Sequence, residues 1–449
     1  MQQERLVVIG GTAAGLSAAS AARRLKKDLS VTVYEKTGYI SYGSCGLPYY
    51  IGGLVEQPED LVTFTPEQLA QSRSITVHIH HEVTQIDRLH KLVTVRNLDT
   101  GTQFEAPYDK LVIATGASAN MPNFSGAEKA GVFTVRHVED GIAIRNELEH
   151  CHKQIVIIGA GYIGLEMAAE LAASGHSVTI LEAMPSLLPS QPAEYADLVR
   201  NALTSNGVRL ETGVNVLGFA GSERVCSVQT TLGEYPADIV IVSAGVHPNS
   251  GLAAQASLPL GLRNAIVVND MMRTADPDIY ACGDCAETFL MIDHSPAYIP
   301  LGTTANKQGK IAGMNIGGRT QHFRGVLGSQ ITKVFDLYLG SIGLTEAAAH
   351  AHGFDCASCS ITKSDRASYY PGGVDTRLTL VFEKKTGRLL GAAAIGGESV
   401  SGRLNVLAAA ITAEMTLEQL NTVDFVYAPP VAPVYDPILI AASQAIKRI

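Results

Sequence analysis

The stretch SYGSCGLPYY, residues 41–50, holds one cysteine, Cys45, and the next cysteine in the chain is Cys151. With no second thiol nearby in sequence, Cys45 must do chemistry alone or none. A lone thiolate can attack a disulfide to give a mixed disulfide, or be oxidised to a sulfenic acid. Either product needs two electrons to become a thiolate again, so an electron donor must lie alongside. Cys45 precedes a predicted helical turn, whose backbone field lowers a thiol pKa. The bland alternative is a cysteine buried for packing.

A donor is legible in two places. RLVVIG, residues 5–10, reads as a short buried strand, followed by a glycine loop, an alanine-rich helix ending in Arg23, Arg24 and lysines, and the strand SVTVYEK, 30–36. The unit ends in Glu35, twenty-five positions after Gly10. Its glycine spacing is incomplete: Gly10, Thr12 and Gly15 occupy the three positions, with Gly11 one place early. QIVIIGAGYIGLEMAAELAASGHSVTILE, 154–182, repeats the design with Gly159, Gly161 and Gly164 all in place and Glu182 closing it. A pyrophosphate approaches a helix N-terminus closely only where side chains are missing, and an acid at the next strand end accepts hydrogen bonds from ribose hydroxyls. Two such units imply electron transfer between two dinucleotides, a held flavin and an exchangeable nicotinamide. Glu182 is followed by Ala-Met-Pro, with no cation for a 2′-phosphate, so NADH is expected, with NADPH as the alternative. YDKLVIATGAS, 108–118, and DPDIYACGDCAE, 276–287, read as strands ending in Thr115-Gly116 and Gly283-Asp284. Asp284 suits a ribityl hydroxyl, with a helix cap as its structural alternative. LGTTANKQGKIAGMNI, 301–316, reads as a helix whose N-terminus would face a reduced flavin.

The 449 residues suffice for two or three domains, and 46% hydrophobic with 17% charged residues is a globular balance. A net charge of −9 without a basic block argues against nucleic acid or an anionic membrane as partner. Seven scattered cysteines do not make a disulfide framework. Without a signal peptide or an apolar run of about 18 residues, a cytoplasmic protein is expected.

Taken in order, VVIGGTAAGLSAA, SYGSCGLPYY, ATGA, IIGAGYIGLE, IYACGDCAE and VYAPPVAPVYDPILIAA resemble the flavin-dependent pyridine nucleotide–disulfide oxidoreductases over essentially the whole chain. The single-cysteine branch is the nearest: coenzyme A disulfide reductases, NADH oxidases and peroxidases, and persulfide or polysulfide reductases. The resemblance implies an α/β fold with two Rossmann-like dinucleotide-binding domains and an α+β C-terminal interface domain, in a homodimer. The FAD domain would be split, 1–117 and 245–325, around an NAD(P)H domain, 118–244, with the interface domain at 326–449. It places FAD on Gly10, Gly11, Thr12, Ala13, Ala14 and Gly15, then Glu35, Lys36 and Ser44. Thr115, Gly116, Gly283, Asp284, Gly302, Thr303 and Ala305 would complete that site. NAD(P)H would meet Gly159, Gly161, Tyr162, Ile163, Gly164, Glu182 and Gly245. Tyr369 and Tyr427 match tyrosines that, in coenzyme A disulfide reductases, reach the partner's active-site sulfur; Tyr370 reads as packing. Arg23, Ser41, Asn306 and Lys307 are the substrate candidates. TRLTLVFEKKTGRLLGAAAIGG reads as a hairpin with a Lys-Thr-Gly turn, and 401–420 as helical.

Departures narrow the reading. Peroxidases of the branch carry a histidine where this chain has Ala13, which argues against dedicated peroxide chemistry. Coenzyme A disulfide reductases often carry asparagine at Ser44 and a basic residue near Phe64, which weakens, without removing, a coenzyme A-linked substrate. The pairs Cys282/Cys285 and Cys356/Cys359, and the run HIHHEV at 78–83, are not expected to bind metal; the last reads as one strand with His78 and His80 on a shared face. The expectation is an FAD-dependent NAD(P)H reductase of a small-molecule disulfide or persulfide, with coenzyme A as substrate or as a mixed disulfide on Cys45. An NADH oxidase using oxygen and a flavoprotein redox sensor are the rivals.

Overall fold

The computed structural model describes residues 3–149, 151–189 and 191–449. It divides into two compact units, residues 1–120, 134–146 and 244–326 in one and 121–133, 147–243 and 327–449 in the other.

The first unit is built on a five-stranded sheet in the order Ile279–Ala281, Lys110–Ile113, Arg5–Ile9, Ser30–Tyr34, Thr76–His78, paired parallel throughout. The near-continuous apolar run Leu6-Val7-Val8-Ile9 is buried because a parallel sheet is covered on both faces. One cover is the helix Ala13–Leu25, against which the helix Gly302–Ile316 packs backbone to backbone. Small residues make that approach possible: a Cβ on Gly309 or Gly313 would sit 2.2 Å from the carbonyl oxygen of Ala14 or Ala18. Between its third and fourth sheet strands the chain makes an antiparallel excursion, His81–Asp87, Leu92–Asn97 and Gln103–Pro107.

The second unit repeats the plan. Arg209–Thr212, Ser177–Glu182, Gln154–Ile158 and Ile239–Val242 pair parallel, with Val132–Thr134 at the edge. The helix Tyr162–Ala173 follows the central strand, and an antiparallel excursion, Val216–Ala220, Ser227–Thr230 and Gly233–Pro236, again precedes the fourth strand. The C-terminal part is a five-stranded antiparallel sheet, Gln330–Val334, Leu337–Gly343, Leu389–Gly396, Asp375–Glu383 and Cys356–Ser364 in that order. The helices Val400–Thr412 and Pro437–Ile446 pack on it. The expected hairpin is present.

Two local expectations differ. The helical stretch expected over 401–420 is broken: Glu414 takes a positive φ of 54°, and a short helix, Leu417–Asn421, restarts with Thr416 and Gln419 forming a reciprocal capping box. The strand expected over 78–83 also breaks, because His80 adopts φ 54° and turns to Asp99 at 3.0 Å. His78 instead stacks on Tyr34 (5.5 Å) and lies 5.2 Å from His81, so His78 and His80 do not share a strand face. Among the described residues, no three His, Cys, Asp or Glu side chains converge on one point, and no helix is long and apolar enough to cross a membrane.

Candidate active site

The two glycine loops have the same internal geometry. Gly10 and Gly159 take φ of 108° and 99°, conformations an L side chain resists. A Cβ on Gly15 would lie 2.0 Å from the Gly10 carbonyl oxygen, and one on Gly164 2.1 Å from that of Gly159, so both third glycines are demanded by the fold itself. Gly161 differs, since its Cβ would meet nothing within 4 Å. Neither Thr12 nor Gly161, which open the helices Ala13–Leu25 and Tyr162–Ala173, caps its helix through a side chain. The first-turn N–H groups of both helices therefore remain for an anion.

The acids match as well. Glu35 is 7% exposed; its Oε2 accepts from Gly11 N at 2.7 Å and its Oε1 from Thr37 N at 2.9 Å. Glu182 Oε2 accepts from Ala160 N at 2.7 Å and Oε1 from Met184 N at 2.8 Å. Each carboxylate is thus fixed one residue past the first glycine of its loop. Acceptor-only groups in that place suit ribose hydroxyls, and the residues present fit two dinucleotides.

In the first unit several of the remaining expected flavin contacts lie together. The Gly283–Asp284 turn lies on the glycine loop, with a Cβ on Gly283 (φ 81°) only 2.7 Å from Ala14 Cβ. Gln308, fully buried in the helix Gly302–Ile316, accepts from Gly283 N at 2.8 Å and donates to the Glu287 carbonyl at 2.9 Å. That helix begins at exposed Gly302 and Thr303, with Ala305 buried behind them. Asp284 caps no helix; its carboxylate accepts from Arg136 at 2.7 Å, and the Tyr298 hydroxyl donates to its carbonyl at 2.9 Å. Thr115 Oγ1 donates to Asn249 O at 2.6 Å, and Gly116 (φ 68°) brings its Cα side near the Arg136 guanidinium. Lys36 is exposed beyond Glu35. Gly245 (φ 83°) belongs to this unit, where its carbonyl accepts from Asn120 N at 2.9 Å.

Cys45 is exposed in the 3-10 turn Ser44–Gly46, ahead of the five-residue helix Leu47–Ile51. The preceding backbone is tied on both sides. Ser41 (φ 51°) donates its N–H to the Gly11 carbonyl at 3.0 Å and accepts from Thr63 N at 2.8 Å, and Gly43 N donates to Leu61 O at 2.9 Å. The first glycine loop therefore carries the cysteine loop directly. The Tyr42 hydroxyl meets His137 Nδ1 at 3.1 Å. Burial raises the Tyr42 pKa and lowers that of His137, so the pair is neutral.

The substrate candidates scatter. Arg23 folds back onto the Lys27 carbonyl of its own helix end, while Lys307 is exposed. Asn306 accepts from Ser17 Oγ at 2.7 Å. The basic residue absent near Phe64 in sequence is supplied by Arg73, whose guanidinium lies 4.3 Å over the Phe64 ring and donates to Ser20 Oγ at 2.7 Å. In the second unit Tyr162 receives a hydrogen bond from Gln191 at 3.1 Å, with Ile163 exposed beside it. Tyr369 and Tyr427, 58 positions apart, place their hydroxyls 3.1 Å from each other on exposed loops. That bond, foremost, raises the pKa of Tyr427.

Sequence reasoning missed Arg136, His137, Arg73 and Gln308. Only Gln308 offers a signal, as a polar residue on the small-residue face of a helix. Arg136 and His137 lie far in sequence from what they touch, and Arg73, nine positions after Phe64, is held there by Ser20, 53 positions back.

The model of the pyridine nucleotide-disulphide oxidoreductase family matches residues 4–309, and its dimerisation domain matches 329–436. A Pyrococcus horikoshii protein named NAD(P)H coenzyme A polysulfide/persulfide reductase is 39% identical over 98% of both chains. A Methanocaldococcus jannaschii NADH oxidase is 36% identical over 99% of both. A solved NAD-dependent persulfide reductase from A. fulgidus superposes with a TM-score of 0.95 at 40% identity, covering 99% of this chain and 83% of that one. With family models matching residues 4–309 and 329–436 and relatives of this identity over almost the whole chain, the chain belongs to the pyridine nucleotide-disulphide oxidoreductases, enzymes that couple a flavin to a pyridine nucleotide.

Proposed function

We propose that this protein is an FAD-dependent NADH reductase of coenzyme A disulfide or persulfide, acting through Cys45. The observation that carries the reading is the bond from Ser41 to Gly11, which ties an exposed lone cysteine to the first glycine loop. Residues 1–117 and 245–325 would hold FAD on Glu35, the glycine loop and Asp284. Residues 118–244 would hold the nicotinamide on the second loop, with Glu182 favouring NADH. When bound, the two cofactors supply an electron pair beside the sulfur.

The thiolate of Cys45 attacks one sulfur of RS–SR′, forming Cys45–S–S–R and expelling R′S⁻. Tyr427 protonates the leaving thiolate. For this, Tyr369 donates its hydroxyl to the Tyr427 oxygen, which leaves the Tyr427 proton for the thiolate, and solvent reprotonates the phenolate afterwards. Two electrons then cleave the mixed disulfide to Cys45–S⁻ and RS⁻. For a persulfide, the outer sulfur moves to Cys45 and the same two electrons release it as hydrosulfide.

Residues 326–449 would form the interface of a homodimer in which the tyrosine pair of one protomer serves Cys45 of its partner. Exposed apolar side chains in the pair and next to it in sequence support this: Val426 is 84% exposed and Tyr369 72%. Arg73 and Lys307 favour an anionic substrate such as coenzyme A.

An anaerobic stopped-flow experiment tests the reading. NADH-reduced enzyme is mixed separately with coenzyme A disulfide, coenzyme A persulfide and oxygenated buffer. Fast reoxidation by a coenzyme A sulfur species, lost in Cys45→Ser, is expected. Fast reoxidation by oxygen alone, unchanged in Cys45→Ser, would make the protein an oxidase. Slow reoxidation by all three would make it a sensor.

A further inference from the structure

We propose that Arg403 is a positioning residue for the Tyr369–Tyr427 pair, one buried guanidinium fixing the bases of both loops that carry the phenols; this rests on the acid role given to the pair above.

Both phenols are exposed at loop tips, so packing does little to hold their hydroxyls 3.1 Å apart. A shift of about 0.5 Å takes such a contact out of hydrogen-bonding range. Their placement must come from below. Arg403 lies in the helix Val400–Thr412 and is 5% exposed. Its Nε donates to Asp436 at 3.1 Å, and one terminal nitrogen donates both to Asp436 Oδ2 at 2.9 Å and to the Asp365 carbonyl at 3.0 Å. The other terminal nitrogen donates to Ser399 Oγ at 2.6 Å.

The two acceptors are the roots of the two loops. Asp365 closes the neck of the loop with Tyr369: its N–H donates to Val374 O at 2.9 Å, and its carboxylate accepts from Val374 N at 3.0 Å. Asp436 ends the segment with Tyr427 and caps the helix Pro437–Ile446, accepting from Ile438 N at 2.9 Å. The loops touch once through backbone, Ala367 N to Pro429 O at 3.3 Å. The planar fork of an arginine can bind a carboxylate and a carbonyl in fixed directions together, which a lysine ammonium cannot.

The test uses FAD-loaded wild-type enzyme, Arg403→Gln, Arg403→Lys, Tyr427→Phe and the double variant Arg403→Gln/Tyr427→Phe. Each is reduced with NADH without oxygen, then reoxidised with coenzyme A disulfide, with dimer mass and FAD content checked. Flavin reduction in the Arg403 variants should stay within about twofold of wild type. Loss of a general acid costs about 100-fold, so reoxidation should fall at least about tenfold in Arg403→Gln and less in Arg403→Lys. The double variant should reoxidise no more slowly than Tyr427→Phe, because both changes remove one function. Multiplying losses, or wild-type reoxidation in both Arg403 variants, would overturn the proposal. If Arg403→Gln fails to fold, Arg403→Lys combined with Tyr427→Phe makes the same comparison. Wild-type reoxidation by Tyr427→Phe would instead remove the acid role itself, and the proposal with it.

Discussion

Gly161 and Gly164 stand three residues apart in the same loop, yet a methyl group means different things at each. At position 164 an added Cβ lies 2.1 Å from the Gly159 carbonyl oxygen. A carbon normally stays about 3.3 Å from such an oxygen, so the helix start must retreat by roughly 1.2 Å. Overpacking of this kind costs about 1–3 kcal/mol, and a displacement of about 1 Å at a binding loop costs up to about 100-fold in rate. Gly164→Ala should therefore lose stability and slow flavin reduction by NADH together. At position 161 the same methyl meets nothing within 4 Å. The protein alone has no objection to it, so Gly161→Ala should keep its melting temperature. If a pyrophosphate approaches there, NADH affinity should nonetheless fall about tenfold or more, while reduction by dithionite and FAD content stay unchanged. The assay is stopped-flow flavin reduction across NADH concentrations, beside thermal melting. Wild-type NADH affinity in Gly161→Ala would show that the open space is not the ligand's, and would sink the assignment of this loop.

On the proposed role of Glu182 as acceptor of a ribose hydroxyl, Glu182→Ala with Ala183→Arg, which adds a cation for a 2′-phosphate, should lower the ratio of kcat/KM for NADH to that for NADPH by at least about tenfold. Asp284→Asn should weaken FAD binding and leave Arg136 without its ion pair, at a cost of about 1–3 kcal/mol; FAD release during dilution reads the first effect and melting the second. His137 should make the first unit acid-sensitive. Burial lowers its pKa in the folded state, so below about 6.5 the unfolded chain binds the extra proton first. Stability contributed by the neutral Tyr42–His137 pair is complete above that pH and declines as pH falls towards the folded pKa. His137→Gln should flatten the fall in melting temperature between about pH 6.5 and 5, and an unchanged slope would remove His137 as its cause.

What could be read in the chain without coordinates follows a simple physical division. The glycine loops, their acids and the strands around them are local: a tight turn, a helix start and a strand end lie within thirty residues, and each imposes a residue type at a spacing. The helical turn after Cys45 was legible for the same reason. The sequence pattern was misleading where one residue broke a run, as His80 and Glu414 do by turning to positive φ. It was silent where a side chain reaches a distant segment. Arg73 puts a guanidinium over the Phe64 ring, near which the expected basic residue is missing in sequence, and donates to Ser20, 53 positions away. Arg136 reaches Asp284 across 148 positions, and Arg403 joins Asp365 to Asp436. These arginines share a cause. A long planar cation reaches partners held by other segments, a hydroxyl and a ring for Arg73, a carboxylate for Arg136, a carboxylate and a carbonyl for Arg403, and no spacing rule announces where they will be. The local motifs state which chemistry is present. On the proposal that Arg403 places the two phenols, its variants test the reading as much as Cys45→Ser does.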